Sequence, residues 1–295
     1  MSLAAAYMFG RKQGVALQKL LDQFPNAAAA FSVKKIRNAY SGNCMKVRRA
    51  SDNTTLDIGF SGDDLDTSSL QTFCAGTDGF VETWYNQSGT SAVATQTVLA
   101  KQPKIVTSGS VILKDGIPAV SSDGVDDFMS ISNSQTFFNT EFSVFSAFAY
   151  KVKAAEQRFY AYQNNGGSTN SDNLLILRKT GGNMQALTRQ SNGSNIVANI
   201  SNSQDLQRLV LTQIGKENDN VRIKTDTASV VSNAISLFDG VPTEAYRFIL
   251  FQGRGAQSST SQPAETLSQQ FVFYDADKTI NIQDIEDNIT TTFNI

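Results

Sequence analysis

The sequence contains no histidine among its 295 residues. This removes the side chain that most often serves as a general base and as a transition-metal ligand. Catalytic triads that depend on an imidazole are therefore excluded. Only two cysteines occur, Cys44 and Cys74, which are too few for a disulfide scaffold or a thiolate zinc site. We expect both to be free, buried thiols.

Strong net charge and long apolar runs are also missing. The formal net charge is −2, so no overall field attracts nucleic acid or an anionic membrane. No stretch approaches the ~20 apolar residues of a membrane span, so membrane insertion is not expected. The apolar run near the N-terminus is followed, not preceded, by Arg11 and Lys12. That order does not fit a secretory signal peptide.

The sequence does contain aromatic and turn-forming residues in the balance typical of β-rich proteins. Nineteen Phe and eight Tyr accompany a single Trp, and 40% of the residues are hydrophobic. Alternation in the run 80–85 places Phe80, Glu82 and Trp84 on one face of a strand. The other face carries large side chains as well. Such a strand needs cover on both sides, which two stacked sheets provide.

The N-terminal part of the chain is predicted to be helical. Before Pro25, apolar residues recur at helical spacing, and this helix either packs on its own domain or docks on another subunit. We expect docking, through Val15, Leu17, Leu20, Leu21 and Phe24. Ser32 is a candidate cap for a second helix that runs to Gly42. Residues 1–29 are therefore predicted to form a docking segment, and residues 30–295 a single domain.

The remaining sequence predicts short strands separated by polar turns. Residues 45–49 and 56–60 indicate a hairpin, Asp66 caps a short helix, and further strand-like segments follow. A last helix is expected to carry its apolar stripe on Ile282, Ile285, Ile289 and Phe293. Crossover helices between strands are not indicated. The pattern predicts a mainly β fold, a two-sheet antiparallel jelly-roll sandwich with an N-terminal helical segment and a short C-terminal helix.

Several motifs resemble those of known families. Four runs are similar to the start of arabinofuranosidase B-type catalytic domains, and to bacteriophage tail-fibre and virion proteins that carry the same module: residues 30–42, 47–53, 57–60 and 84–89. Other runs resemble a laminin G-like domain, its opening at residues 121–129 and 142–145 and its close at residues 271–275. Both resemblances imply a concanavalin A-like jelly roll.

The chain departs from these hydrolases where their chemistry resides. Where relatives carry an aspartate this chain has Asn86, and where they carry a Gly-Asn-His run it has Thr90, Ser91 and Ala92. The adjacent cysteines and the glutamate-bearing motif that supplies the hydrolases' nucleophile have no visible counterpart. We therefore expect no enzyme activity and assign no catalytic residue.

Glycan binding is considered at the aromatic residues. Trp84 with Glu82 beside it, together with Tyr160 and Tyr162, would offer ring faces and a carboxylate to a sugar. The alternative places these rings in the core, and Glu82 in an ion pair or in solvent.

Calcium is considered at one acidic run. Asp123, Asp126 and Asp127 would surround the ion with carboxylate oxygens, as in some laminin G-like relatives. The alternative is that Asp-Gly followed by Asp-Asp simply forms a turn. No other cofactor is expected.

The resemblance favours a structural protein of a bacteriophage virion, of the tail-fibre, tail-associated or head-decoration type. The expected partners are other virion proteins and a host-surface glycan, the expected state is a homo-oligomer, and the expected location is the virion, assembled in the host cytoplasm. Two alternatives remain. A glycoside hydrolase would need two carboxyl groups roughly 5 to 10 Å apart, and a free carbohydrate-binding module would need an exposed aromatic platform.

Overall fold

The computed structural model describes the chain in twelve ranges: residues 18–134, 137, 140–151, 156–164, 173–180, 183–189, 195–201, 209–216, 218–225, 229–234, 246–252 and 263–295. Two residues of the predicted docking helix, Val15 and Leu17, lie outside them. Within these ranges no helix is long and apolar enough to cross a membrane.

The protein is mainly β, as the sequence predicts, and the strand ladders of the described residues are antiparallel. The first strands are β1 (Ala29–Ser32), β2 (Met45–Arg49), β3 (Thr55–Ile58), β4 (Phe60–Ser61), β5 (Asp64–Leu65), β6 (Gly79–Trp84), β7 (Ala94–Thr95), β8 (Lys104–Thr107), β9 (Ser110–Val111), β10 (Leu113–Lys114), β11 (Ile117–Pro118), β12 (Val120–Asp123) and β13 (Met129–Ile131). The predicted hairpin is present as β2 and β3, which pair with each other.

Ten further strands follow within the described ranges, most of them longer, and belong to the large sheet, whereas β4 with β5 and β10 with β11 form separate two-stranded sheets. The ten strands are β14 (Glu141–Tyr150), β15 (Gln157–Asn164), β16 (Asn173–Thr180), β17 (Asn183–Arg189), β18 (Asn195–Ser201), β19 (Leu209–Lys216), β20 (Asn220–Thr225), β21 (Val231–Ala234), β22 (Tyr246–Leu250) and β23 (Glu265–Tyr274). Strand β23 pairs with β1, β12 and β14, so the last described strand lies beside the first.

The described residues contain three α-helices, α1 (Leu20–Gln23), α2 (Thr67–Cys74) and α3 (Ile282–Phe293). The carboxylate of Asp66 caps α2 by accepting the Ser69 N–H at 3.0 Å, as predicted. Helix α3 buries the predicted apolar stripe against the sheet. On the same helix Glu286 accepts a hydrogen bond from Thr212 of β19 at 2.6 Å and pairs with Lys224 of β20. The prediction of a C-terminal helix is confirmed.

The predicted docking residues that the structure describes lie in the core of their own chain. Leu20, Leu21 and Phe24 are 1%, 5% and 8% exposed. The hydroxyl of Tyr274 donates to the Phe24 carbonyl at 2.8 Å, and the Asn288 side chain of α3 donates to the Gln18 carbonyl at 2.8 Å. These three apolar side chains therefore offer no surface to another subunit.

The predicted second helix, from Ser32 to Gly42, is wrong. Strand β1 ends at Ser32, and an irregular segment follows it. The buried side chain of Gln87 donates to the carbonyls of Ser32 and Lys34 and accepts the Ile36 N–H, at 2.9 to 3.0 Å. Because Gln87 satisfies backbone groups that a helix would pair internally, the extended path is stable despite its helical pattern.

Trp84 ends strand β6 and points into the core, on a different face from the one that alternation predicts. Two consecutive residues of β2 pair with Thr83 and Val81, so Glu82 is an extra residue of β6. This β-bulge reverses the alternation. Val81 and Trp84 are therefore fully buried, whereas Phe80 and Glu82 are partly exposed.

Candidate functional site: a carboxylate cleft

The loop after strand β12 brings three carboxylates together. Asp123 accepts the backbone N–H groups of Val125 at 2.8 Å and Asp126 at 3.3 Å, and Gly124 adopts a φ of +68°. Asp127 in turn accepts the Asp123 N–H at 3.0 Å. Carboxylate oxygens of the three aspartates lie within 4.8 Å of one another. We call residues 123–127 the aspartate loop.

Two of these aspartates open into a cleft of about 510 Å³, which we call the carboxylate cleft. It is bounded by β6, the 3₁₀ turn Leu99–Lys101, β8 and β12. The residues that line it are Phe80, Leu99, Ala100, Gln102, Lys104, Thr107, Ile112, Ser121, Asp123 and Asp127. Its volume falls in the range of small-molecule binding sites.

Asp127 is the buried carboxyl group of the cleft, with only 5% of its surface exposed. Burial raises its pKa to about 7, and the charges of Asp123 and Asp126 act in the same direction. The hydrogen bond from the Asp123 N–H and the charge of Lys104 oppose that rise. Near neutral pH the Asp127 side chain is therefore present in both protonated and ionised forms.

The cations around the cleft are already engaged by other groups. Lys104 pairs with Asp78 at 2.8 Å and lies 5.4 Å from the centre of the Phe80 ring. Arg48 lies 4.4 Å from the same ring centre and donates from Nε to Gln102 at 2.6 Å. Phe80 is thus in contact with two cations. Because Lys104 and Arg48 bond to these other groups, neither forms an ion pair with Asp127 among the contacts described.

The chemistry available in the cleft follows from the two carboxyl groups. Asp127 is buried and can hold a proton near pH 7, and a side-chain oxygen of the exposed Asp123 lies within 4.8 Å of it. Carboxyl groups whose environments differ in this way can serve as an acid and a base in one reaction. The three aspartates also present oxygen ligands of the kind that Ca²⁺ prefers.

The residues predicted to bind glycans do not form a site together. Trp84, Tyr160 and Tyr162 are fully buried, so none of their ring faces is open to a sugar in this structure. The hydroxyl of Tyr160 donates to Gln213 at 2.8 Å. Glu82 lies 3.6 Å from Lys46 and is partly exposed. The three aromatic residues therefore lie in the core, which was the alternative, because the protein core is filled by large apolar side chains of the sheet.

The sequence predicts the aspartate loop but not the rest of the cleft. Phe80, Gln102 and Lys104 come from strands or turns that are distant in sequence, and no motif marks them. The only local signal was the turn chemistry of residues 123–127, which the structure contains.

The two cysteines are both free and buried, as predicted. The Cys44 thiol donates to the Ser32 carbonyl at 3.3 Å, and burial shifts its pKa upward. Neither cysteine lines the cleft, so thiol chemistry is not part of this site.

Comparison with known proteins gives one family match. The model of the catalytic domain of α-L-arabinofuranosidase B matches residues 22–114. No curated protein matches the sequence.

Solved structures resemble most of the chain. A GH54 α-L-arabinofuranosidase soaked with a cyclic sulfate inhibitor aligns with a TM-score of 0.65 and 17% identity, over 93% of this chain and 65% of that one. An arabinofuranosidase complexed with arabinofuranosyl-α-1,2-xylobiose gives 0.57 and 17%, over 93% and 64%. Trypanosoma rangeli sialidase in complex with 2,3-difluorosialic acid gives 0.53 and 9%, over 94% and 34%. The chain spans just under two thirds of the arabinofuranosidases, and it shares their fold.

These matches correct the expectation of a non-enzymatic bacteriophage virion protein. The matching family model describes a catalytic domain, and the similar structures include arabinofuranosidases with a bound inhibitor or oligosaccharide. The interpretation as a virion module is therefore wrong. The expected partners, other virion proteins in a homo-oligomeric assembly, lose their basis with it.

Proposed function

We propose that this chain is a glycoside hydrolase of the arabinofuranosidase type. The observation that carries the proposal is the match of residues 22–114 to an arabinofuranosidase catalytic domain. That region supplies most of the carboxylate cleft, including Phe80, Gln102, Lys104 and Ile112. The aspartate loop that completes the cleft begins nine residues after the end of this match. The substrate class is accordingly a glycan with terminal arabinofuranosyl groups.

Asp127 and Asp123 are the proposed pair of catalytic carboxyl groups. Asp127 donates its proton to the glycosidic oxygen as the bond to the leaving group breaks, and Asp123 attacks or stabilises the positive charge at the anomeric carbon. Asp127 then accepts a proton from the water that releases the sugar. Their carboxylate oxygens lie within 4.8 Å of each other, which is close enough for both groups to act on one glycosidic bond.

The finer architecture that we propose is the two-layer jelly roll. Strand β23 supports it, because Phe271, Val272 and Phe273 are consecutive and all buried, so both faces of this strand are covered. Cover on both faces is what a strand inside a sandwich requires. We propose residues 30–295 as one such domain, preceded by the segment 1–29.

Calcium binding is the alternative use of the aspartate loop. A cation would require Asp127 to be ionised, so it competes with the proton that the hydrolytic role needs. The two roles differ at Asp126, which belongs to the acidic cluster but does not line the cleft. This difference provides a control.

The experiment is hydrolysis of 4-nitrophenyl α-L-arabinofuranoside by the full chain and its variants. Asp127→Asn is expected to lower kcat by about 10² to 10⁴, chiefly because it removes the base that accepts a proton from the water that releases the sugar; the 4-nitrophenolate leaving group itself needs little protonation. Asp126→Asn, the matched control, is expected to keep the wild-type rate. If Asp126→Asn or a chelator lowers the rate as strongly, calcium is the role of the loop. If the wild-type chain hydrolyses no arabinofuranoside, the proposed function is wrong.

A further inference from the structure

The segment 107–113 contributes residues to a second cavity as well as to the carboxylate cleft. Thr107 and Ile112 line the carboxylate cleft, whereas Ser110, Val111 and Leu113 line the second cavity. The second cavity measures about 560 Å³, within the range of ligand sites. We call it the hairpin groove. Its lining is completed by Lys34, Asp64, Leu65, Thr67, Gln71, Gly116, Ile117 and Pro118.

One side of the hairpin groove is aliphatic and rigid. Strands β10 and β11 pair across a two-residue turn in which Asp115 and Gly116 both have positive φ, 50° and 78°. This is the geometry of the tightest class of hairpin turn. The buried side chain of Gln269 donates to the carbonyls of Lys114 and Ile117 at 3.1 and 3.2 Å, which fixes the hairpin from below. Leu113 remains 51% exposed at the groove.

Other residues of the lining form a polar wall. Lys34 pairs with Asp64 at 2.5 Å, and the backbones of these two residues form a β-bridge. Gln87 holds the Lys34 carbonyl from behind. Helix α2 adds Thr67 and the exposed Gln71. The wall thus offers a carboxylate, an ammonium group, an amide and a hydroxyl, with no net charge from its one ion pair.

We propose that the hairpin groove is a glycan subsite that binds a neutral sugar unit. This sugar belongs to the same polysaccharide molecule whose arabinofuranosyl branch occupies the carboxylate cleft. A sugar ring has a polar edge of hydroxyl groups and an apolar face of C–H groups. The polar wall can form hydrogen bonds with the hydroxyl groups, and Leu113 can pack against the C–H face. The neutral balance of the ion pair favours a neutral ligand over an anionic one. This inference rests on the proposed function for the identity of the glycan.

Binding of soluble arabinoxylan to the full chain tests the subsite. The Asp127→Asn chain is used so that the polysaccharide is not cut during the measurement. Adding Leu113→Ser and Gln71→Ala together removes the apolar contact and one amide, and is expected to weaken binding about tenfold. Leu56→Ser is the matched control, since Leu56 is 42% exposed on β3 and lines neither cavity. It is expected to bind as the parent chain does.

The outcomes separate the subsite from the proposed activity. If the Leu113 and Gln71 changes bind like the Leu56 control, or if the parent chain does not bind arabinoxylan, the subsite is wrong. If binding falls as expected but the wild-type chain hydrolyses no arabinofuranoside, only the proposed hydrolase function fails. Circular dichroism of each variant shows whether a loss of binding comes from unfolding.

Discussion

The aromatic interior and the carboxylate cleft use the same kinds of residue for different purposes. In the interior, the ring centre of Trp84 lies 6.2 Å from that of Phe31 and 6.3 Å from that of Phe271, and Trp84 is fully buried. In the cleft, Phe80 is partly exposed and lies under two cations. Both aromatic residues belong to β6, four positions apart. The bulge at Glu82 decides which ring packs in the core and which faces the cleft.

The largest expected effect is a difference in stability between substitutions in the two regions. Trp84→Ala should destabilise the protein by about 3 to 5 kcal/mol, because it leaves a cavity among packed aromatic rings. Phe80→Ala should cost clearly less, since the Phe80 ring is only partly buried. Chemical denaturation followed by circular dichroism measures both. Equal losses for the two variants would remove the distinction between core and cleft on β6.

The fold class was accessible from the sequence because it depends on local periodicity. Alternating segments predicted the β2–β3 hairpin, and the stripe of isoleucines predicted α3. The helix expected from Ser32 failed because Gln87, more than fifty residues away, supplies its backbone partners. A helical pattern carries no information about such a distant partner.

The candidate site was accessible only in part for the same reason. The aspartate loop is a local turn, so Asp-Gly followed by Asp-Asp identified it. The burial that raises the pKa of Asp127 depends on the fold that brings β6, β8 and the loop to one cleft, which no short motif encodes. The placement of the aromatic residues could not be predicted from the sequence either. Their chemistry suits a sugar, but only the fold determines that Tyr160 and Tyr162 are buried.

The next expected effect concerns Asp127 in the cleft. Whereas Trp84→Ala lowers the stability of the folded protein, a substitution of Asp127 should raise it at high pH. Asp127 has a pKa of about 7 in the folded protein, above that of an unfolded aspartate. The folded state therefore binds the extra proton between roughly pH 4 and 7, and stability is lost as the pH rises through this window. Asp127→Asn removes that loss.

Denaturation at pH 5 and pH 8 measures this linkage. The wild-type chain should lose on the order of 2 kcal/mol more than Asp127→Asn between the two values. At pH 8 the variant should be the more stable protein, although it lacks the proposed proton donor. Asp126→Asn is the control: it keeps Asp127 titratable but removes one of the charges that raise the Asp127 pKa, so it should show the same kind of pH-dependent loss, displaced slightly to lower pH. Parallel profiles for wild type and Asp127→Asn would show that Asp127 does not titrate near neutrality.

The smallest expected effect tests whether an interior aromatic has any part in binding. Tyr160→Phe keeps the ring but removes the hydroxyl that donates to Gln213 at 2.8 Å, and should cost about 1 kcal/mol of stability. Because Tyr160 is fully buried, the affinity for arabinoxylan should stay unchanged. Denaturation and binding of the same preparation measure both quantities. A loss of affinity without a loss of stability would place Tyr160 at a sugar, and the division between an aromatic interior and a carboxylate cleft would then be wrong.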